Sequence, residues 1–340
     1  MSGREVFIVG VGMTPFGRHA ELDVKALARG AVAAALADAG LVPAAIEAAY
    51  FANATQGHME GQHMVRGEIA LRALGIGRIP VVNVENACAS GSTALQLAVT
   101  ALKAGDADIA LAVGAEKMVS TDRGRMFSVF DGAWDVADHE RIAAAPIAYP
   151  LTVPMCSPIS DGAAAVIVAT PAGLTRYGID AKRAVRVLAV ALQSGSDRAA
   201  EDVHLHVSAL AAGRAYAMAG VGPGDIDVAE VHDATAMGEI IQVENLGFCA
   251  FGDGGALAER GETAIGGRLP VNPSGGLESK GHPIGATGLA QIHELVTQLR
   301  GEAKTRQVTG ARTAIAENGG GLHGIEEAVA CVTILQRDVV

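Results

Sequence analysis

"VVNVENACASGSTALQLAV", residues 81–99, changes pattern in its middle. Val81, Val82 and Val84 read as the end of a buried β-branched strand. Ser90 to Val99 carry small and apolar residues and read as a buried helix. Cys88 stands in the turn between them. A helix N-terminus presents unpaired N–H groups and partial positive charge. Both favour a thiolate, the nucleophilic form of cysteine, so Cys88 is expected to have a depressed pKa. The same N–H groups can hold the oxyanion formed when a thiolate attacks a carbonyl. A free cysteine is otherwise most often a buried structural residue, and this segment by itself leaves both readings open.

Strands and helices alternate outward from this turn. "EVFIVGVG" (5–12), "AAYFANA" (48–54), "DADIALAVGAE" (106–116) and "DGAAAVIVAT" (161–170) read as strands, and 23–40 as a helix stopped by Gly40. A second series begins near Ala184, with a strand at 184–192, a helix at 209–220, a strand running into a polar turn over 225–234, a strand into a glycine loop over 313–321 and a strand at 326–335. Such alternation predicts an α/β fold with a mostly parallel sheet. The series resemble each other. "IPVVNVENACASGSTALQLAV" and "LPVNPSGGLESKGHPIGATGLAQIHELV" (269–296) each run strand, polar turn, small-residue helix. Each is followed by a short strand ending in Glu, "ALAVGAE" and "TAIAE". This reads as an internal duplication joined between Thr170 and Ala184, with loops at strand C-termini converging on one site. Residues 120–160 fit neither half.

Bulk composition excludes several classes. Hydrophobic residues make up 50% of the 340 but aromatics only 4%, so the core is built from Ala, Val, Leu and Ile. A net charge of −11 argues against nucleic acid or an anionic membrane as partner. No apolar run is long enough to span a bilayer. Cys88, Cys156, Cys249 and Cys331 lie far apart without CxxC spacing, which predicts reduced thiols in a cytoplasmic protein and no metal site.

Two further turns carry chemistry. In "GHPIGATG" (281–288), Pro283 restricts His282 to extended backbone and fixes how its imidazole is presented. His282 is either a satisfied turn histidine or the base that deprotonates Cys88 from the matching turn of the second half. In "EVHDATAMGEI" (230–240), His232 is an oxyanion donor or a solvated turn residue, and Asp233 a cap for the following helix.

"NACASG", "GHPIGATG", "EVHDA" and "PMCSPISDGAAAVIV" (154–168) together resemble the thiolase superfamily, in its sterol-carrier-protein or lipid-transfer branch, over nearly the whole chain. The resemblance implies two βαβαβαββ halves in a five-layer αβαβα arrangement. Residues 1–119 with 161–175 would form the N-terminal half, 120–160 a shortened excursion, and 176–340 the C-terminal half. It implies that Cys88 takes the acyl group of an acyl-CoA as a thioester and that His282 activates it. His232 would complete a second oxyanion site, and the N–H groups of Cys88 and Gly320 the first. No tightly bound cofactor is implied, with the coenzyme A thioester as substrate. Implied partners are a second copy or a tetramer, and a small accessory protein with a zinc ribbon and an OB-like domain.

The sequence departs from that branch in two ways. The second catalytic cysteine is absent: its C-terminal position holds Asn318, and the "HDCF" position holds Ala234. Asn is no general base near neutral pH. Acylation of Cys88 is therefore expected to survive while Claisen condensation is slow, unless His282, Asp233 or a water serves as base. The excursion is also short, which would leave the Cys88 pocket more open or leave a partner to complete it. His139 and Trp134 lie there without an assigned role. Arg123, Arg125, Lys182 and Arg183 are contacts for the CoA nucleotide by charge alone. Alternative readings are C-acylation of an activated carbon, a retro-aldol C–C lyase of the same fold, and a non-catalytic subunit of a complex. Cys88 counts against the lyase, and the Cys88/His282 pair against the inert subunit.

Overall fold

Nine strands hydrogen-bond in one continuous order, β3-β2-β4-β5-β1-β6-β9-β8-β7, in the computed structural model, which describes residues 4–138 and 151–337. β1 (Phe7–Met13), β2 (Ala48–Ala52), β3 (Val81–Val84), β4 (Ile109–Glu116) and β5 (Gly162–Ala169) form one group. β6 (Val185–Ser194), β7 (Val228–Glu230), β8 (Thr313–Gly320) and β9 (Val329–Gln336) form the other. The order is a mirror about the β1–β6 join: β6 answers β1, β9 answers β5, β8 answers β4 and β7 answers β2. The join itself is short, pairing Phe7 with Arg186 and Ile8 with Val185.

The sheet is mixed, not mostly parallel. β2 runs parallel to β3 and β4, and β7 parallel to β8. The remaining pairings, β1–β5, β1–β6, β4–β5, β6–β9 and β8–β9, are antiparallel. The expectation from strand–helix alternation missed that β4→β5 and β8→β9 connect neighbours without a crossover helix, and such connections give antiparallel pairs. Among the described residues no strand answers β3. The run at 269–273 makes only a bridge between Ala229 and Val271. Pro270 and Pro273 flank it and donate no hydrogen bonds, so the ladder stops after Ala229 N–H to Pro270 O (3.0 Å) and Asn272 N–H to Ala229 O (2.8 Å).

Five helices of ten residues or more lie among the described residues: α1 (Val24–Ala39), α2 (Ser90–Ala104), α3 (Val207–Ala219), α4 (Ala236–Asn245) and α5 (Thr287–Arg300). α1 begins where the Asp23 side chain caps Ala26 N–H and ends at left-handed Gly40. It packs on β1, β4 and β5 around Leu27, Val32, Phe51 and Ile109. α3 packs on β6 and β9 around Ala211, Ala215 and Val332. α2 and α5 lie between the two strand groups and touch strands of both as well as each other, around Leu95, Leu102, Ile292 and Leu299. Three apolar cores thus separate two strand layers, giving helix, sheet, helix, sheet, helix. The middle layer is possible because α2 and α5 carry small residues. A Cβ on Gly288 would lie 2.7 Å from Ser92 N, and one on Gly91 would lie 2.8 Å from Gly285 O. The first turns of α2 and α5, one from each half, therefore meet at the centre. No helix among the described residues is long and apolar enough to cross a membrane.

Candidate active site

Cys88 sits on a tight elbow between β3 and α2. Ala87 takes a left-handed conformation (φ 45°), unusual for a residue with a side chain. Ala89 N–H returns to Asn86 O (2.9 Å) and Ser90 N–H to Ala87 O (3.1 Å). The Ser90 hydroxyl donates to Ala87 O (2.6 Å) and accepts from Asn86 N–H (2.8 Å). The chain is thus held ahead of the helix with the cysteine at its apex. The end of β8 presses on this elbow: a Cβ on Gly320 would collide with Asn86 O and Ala89 N.

His282 reaches the same point from the other half. Its Nε2 lies 3.2 Å from Cys88 Sγ, and its Nδ1 lies 2.7 Å from Thr287 Oγ1. The Thr287 hydroxyl gives its one proton to Pro283 O (3.0 Å). It must therefore accept from His282, which puts the ring proton on Nδ1 and leaves the Nε2 lone pair facing the thiol. His232 follows β7, its ring edge-on to that of His282 with centroids 5.1 Å apart. The Asn318 amide donates to His232 Nδ1 (2.9 Å) and accepts from the Ser92 hydroxyl (2.8 Å). This leaves the proton on His232 Nε2, a donor. One side-chain atom each of Cys88, His232 and His282 lies within 4.8 Å of the others. The residues that the sequence placed far apart are brought together.

The electrostatics differ from expectation in one respect. Cys88 keeps some exposure into a cavity, yet burial of the sulfur pushes its thiol up to about 12. The Glu116 and Glu327 charges add to this, against the N–H groups of Gly321 and Cys88, which favour the thiolate. The depressed pKa expected from the helix N-terminus is not what the structure gives. The helix starts only at Ser90, and the N–H groups of Ala89 and Ser90 are tied into the elbow. The strand-end amide bearing on the sulfur is that of Gly321, one residue beyond Gly320. Burial also holds His232 down to about 4 and His282 well below the ordinary histidine value. The resting pair is a neutral thiol and a neutral imidazole, so the thiolate forms as the proton moves to His282.

Two buried glutamates hold the histidine loops. Glu116, at the end of β4, accepts from Asn53 Nδ2 (2.7 Å), Ala54 N (3.0 Å), Thr55 N (2.9 Å), Thr55 Oγ1 (2.6 Å) and Gly285 N (2.9 Å). Burial pushes its carboxyl up, and these donors oppose it. Glu317, its counterpart on β8, accepts from His232 N (3.1 Å) and Ser208 Oγ (3.0 Å). These are the terminal glutamates of "ALAVGAE" and "TAIAE". Sequence reasoning noted them as marks of duplication and missed that they anchor the loops.

The cavity over Cys88 has a volume of about 340 Å³, and Phe130, Trp134, Pro158 and Ile159 wall it. The excursion thus forms the pocket, and Trp134, left without a role by the sequence, sits there with its indole N–H buried and unpartnered. His139 lies outside the described residues. Asp233 caps the short Gly276–Lys280 helix through Leu277 N (2.7 Å), not the helix that follows it. Cys331 is buried in β9 and Cys156 is exposed. Cys249 falls in the turn after α4. Arg183 is engaged by Asp38 (2.7 Å) and Glu302, and Arg125 by the His58 carbonyl (2.7 Å). None of Arg123, Arg125, Lys182 and Arg183 lines the Cys88 cavity.

The models of the thiolase N-terminal domain and the thiolase C-terminal domain-like family match residues 6–145 and 189–337. The chain belongs to the thiolase family. It is 36% identical to the acetyl-CoA acetyltransferase of Methanothermobacter thermautotrophicus, over 98% of this chain and all of that one. That alignment runs to 388 positions, so the relative carries residues without a counterpart in this 340-residue chain. Sterol carrier protein 2 of Oryctolagus cuniculus is also 36% identical, over 93% of this chain and 70% of its own length. Benzoylsuccinyl-CoA thiolase subunit BbsB of Thauera aromatica is 31% identical over 90% and 91%. Among solved structures, the Ltp2-ChsH2(DUF35) aldolase superposes with a TM-score of 0.76 at 22% identity over 99% of both chains. Human mitochondrial 3-ketoacyl-CoA thiolase in complex with CoA gives 0.69 at 17%, over 99% of this thiolase and 98% of that chain. These two likenesses establish the fold.

Proposed function

We propose that this thiolase-family chain takes an acyl group from an acyl-CoA onto Cys88 and passes it to a thiol or carbon acceptor. One observation carries the reading: the lone pair of His282 Nε2 faces Cys88 Sγ at 3.2 Å, with the opposite ring nitrogen held by Thr287. As Sγ attacks the thioester carbonyl, its proton passes to His282 Nε2. The carbonyl oxygen takes the charge, and N–H groups of Cys88 and Gly320 hold it. The adduct collapses by breaking the bond to the CoA sulfur, which leaves with the proton from His282. The products are acyl-Cys88 and free CoA. His232, with its proton on Nε2, then donates to the thioester oxygen of the incoming acceptor. CoA enters as substrate, and no tightly bound cofactor is required.

The shape of the pocket supports a small or medium acyl chain against Phe130 and Trp134. Residues 1–119 with 161–175 and residues 176–340 act as the two halves, each supplying one of the paired residues. The assembly is a homodimer or tetramer. It is completed by an accessory subunit with a zinc ribbon and an OB-like domain, in line with the DUF35 component named in one structural neighbour. That neighbour is an aldolase, which keeps a retro-aldol reading as the second alternative, and Cys88 weighs against it. Mixing the protein with acetyl-CoA and following free thiol tests the proposal. A burst of CoA equal to the protein concentration is expected, absent in Cys88→Ala. A wild-type chain with no burst would sink the acyl-transfer reading.

A further inference from the structure

The acyl-Cys88 reading leaves one step without a residue, the removal of the acceptor's α-proton. We infer that Glu327 is the general base for that step, doing what Asn318 and Ala234 cannot. Glu327 lies in the turn between β8 and β9 and lines the same cavity as Cys88, His232, His282 and Ala234. Its side chain lies over Gly319, the neighbour of Asn318. A Cβ there would be 2.7 Å from Glu327 Cγ and 3.1 Å from Oε1. Gly319 thus makes room for a carboxylate beside the position where the family keeps its second cysteine.

The carboxylate is oriented through both oxygens. Oε1 accepts from Gln242 Nε2 (2.9 Å). Oε2 is buried without a close hydrogen bond, and its nearest polar partner is His206 Nε2 at 3.4 Å. His206 Nδ1 accepts from Ser208 N (3.2 Å) and Asn245 Nδ2 (3.1 Å), so the Nε2 proton faces Glu327. Burial lowers the His206 pKa, so the ring lends a dipole rather than a full charge. The adjacent Glu326 shows the contrast. It is paired with Arg198 (2.6 Å) and accepts from Ser196 N (2.9 Å) and Val207 N (3.1 Å), a fully satisfied structural group. Glu327 by contrast has one close hydrogen bond, at Oε1, and a longer contact at Oε2, and it borders the cavity that holds the reactive residues.

The step balances without an outside reagent. Glu327 Oε2 takes a proton from the α-carbon of the second acyl-CoA. The C–H electron pair becomes an enolate whose oxygen is held by the Nε2–H of His232. The α-carbon attacks acyl-Cys88, the new C–C bond forms, and the bond to Sγ breaks. The Cys88 thiolate then regains a proton from Glu327. A positioned base contributes about 10² to 10⁴-fold.

The test is α-deuterium incorporation into acetyl-CoA in D₂O, read by mass spectrometry, with the acyl-Cys88 burst measured on the same samples. Glu327→Gln keeps the size of the side chain and its contact to Gln242. It is expected to lower deuterium incorporation by about 100-fold or more while acyl-Cys88 still forms. Glu327→Asp should retain a larger share. Exchange at the wild-type rate in Glu327→Gln would overturn the assignment, as would a wild-type protein that exchanges no α-deuterium. Loss of burst and exchange together would also contradict it, by placing Glu327 in acylation or folding. Exchange that depends on Glu327 in a wild-type chain that never acylates Cys88 would leave this inference standing and remove the acyl-transfer reading instead.

Discussion

Thr287 decides which way the proton between Cys88 and His282 can move. Its hydroxyl is committed to Pro283 O, so it fixes the His282 tautomer without touching substrate. Thr287→Val should therefore slow acylation of Cys88 by about tenfold, the worth of one neutral hydrogen bond of roughly 1–1.5 kcal/mol, with little change in the KM for acyl-CoA. A stopped-flow measurement of CoA release reads this, and an unchanged rate would remove the tautomer argument. His282→Ala should abolish acylation while the circular dichroism spectrum is kept. The raised Cys88 pKa has a sign that can be checked. Below about 12 the thiol form dominates, so the thiolate fraction, and with it alkylation by iodoacetamide, should climb about tenfold per pH unit from 7 to 10. Peptide mapping should find exposed Cys156 labelled ahead of Cys88 at pH 7. Fast labelling of Cys88 at neutral pH would restore the low-pKa thiolate that the sequence suggested. The sequence put Cys88 in the turn between strand and helix, where the structure has it, but pointed to the opposite shift in its ionisation. The elbow that presents Cys88 uses up the N–H groups of Ala89 and Ser90, and burial outweighs those that remain, a competition visible only in three dimensions.

The strand ends carry the loops, and glutamates tie the loops down. Glu116 gathers five donors from two loops, one of them at Gly285 in the His282 turn. Glu116→Ala leaves those donors unsatisfied inside the protein and should cost roughly 3 kcal/mol or more in urea-unfolding free energy. Glu116→Gln should cost less. Equal stability of wild type and Glu116→Ala would mean that the loops stand without it. Gly320→Ala should disrupt acylation, because its Cβ has no room against the Asn86–Ala89 elbow. Most elements could be read from the sequence because hydrophobic runs and capping residues are local. α1 is one example, bounded by Asp23 and Gly40 as its pattern predicts. β7 was legible as a strand running into a polar turn over 225–234, though not in its exact ends: only Val228–Glu230 finds a parallel partner, in β8. The missing counterpart of β3 was hidden likewise, since prolines at 270 and 273 end a ladder that the apolar pattern would continue.

Across the whole molecule, duplication is what makes the site. Each half offers a strand, a turn and a small-residue helix, and the two helices α2 and α5 meet with Cys88 on one side and His282 on the other. The repeated motifs made this convergence legible before any coordinates. The Glu327 carboxylate was not legible, because nothing in "GIEEAVA" separates it from its structural neighbour Glu326 except the cavity it enters. β3 remains an edge, with Val82 exposed, and an exposed edge of this kind invites a second copy. Light scattering should therefore give a mass of at least two chains, and a monomer at micromolar concentration would contradict the proposed assembly. The central claim is that Cys88 carries the acyl group. Mass spectrometry of peptides from protein quenched in acid after brief mixing with acetyl-CoA tests it most directly. The account predicts an acetyl adduct on the peptide bearing Cys88, absent from His282→Ala. An unmodified Cys88 peptide alongside consumed acetyl-CoA would contradict it.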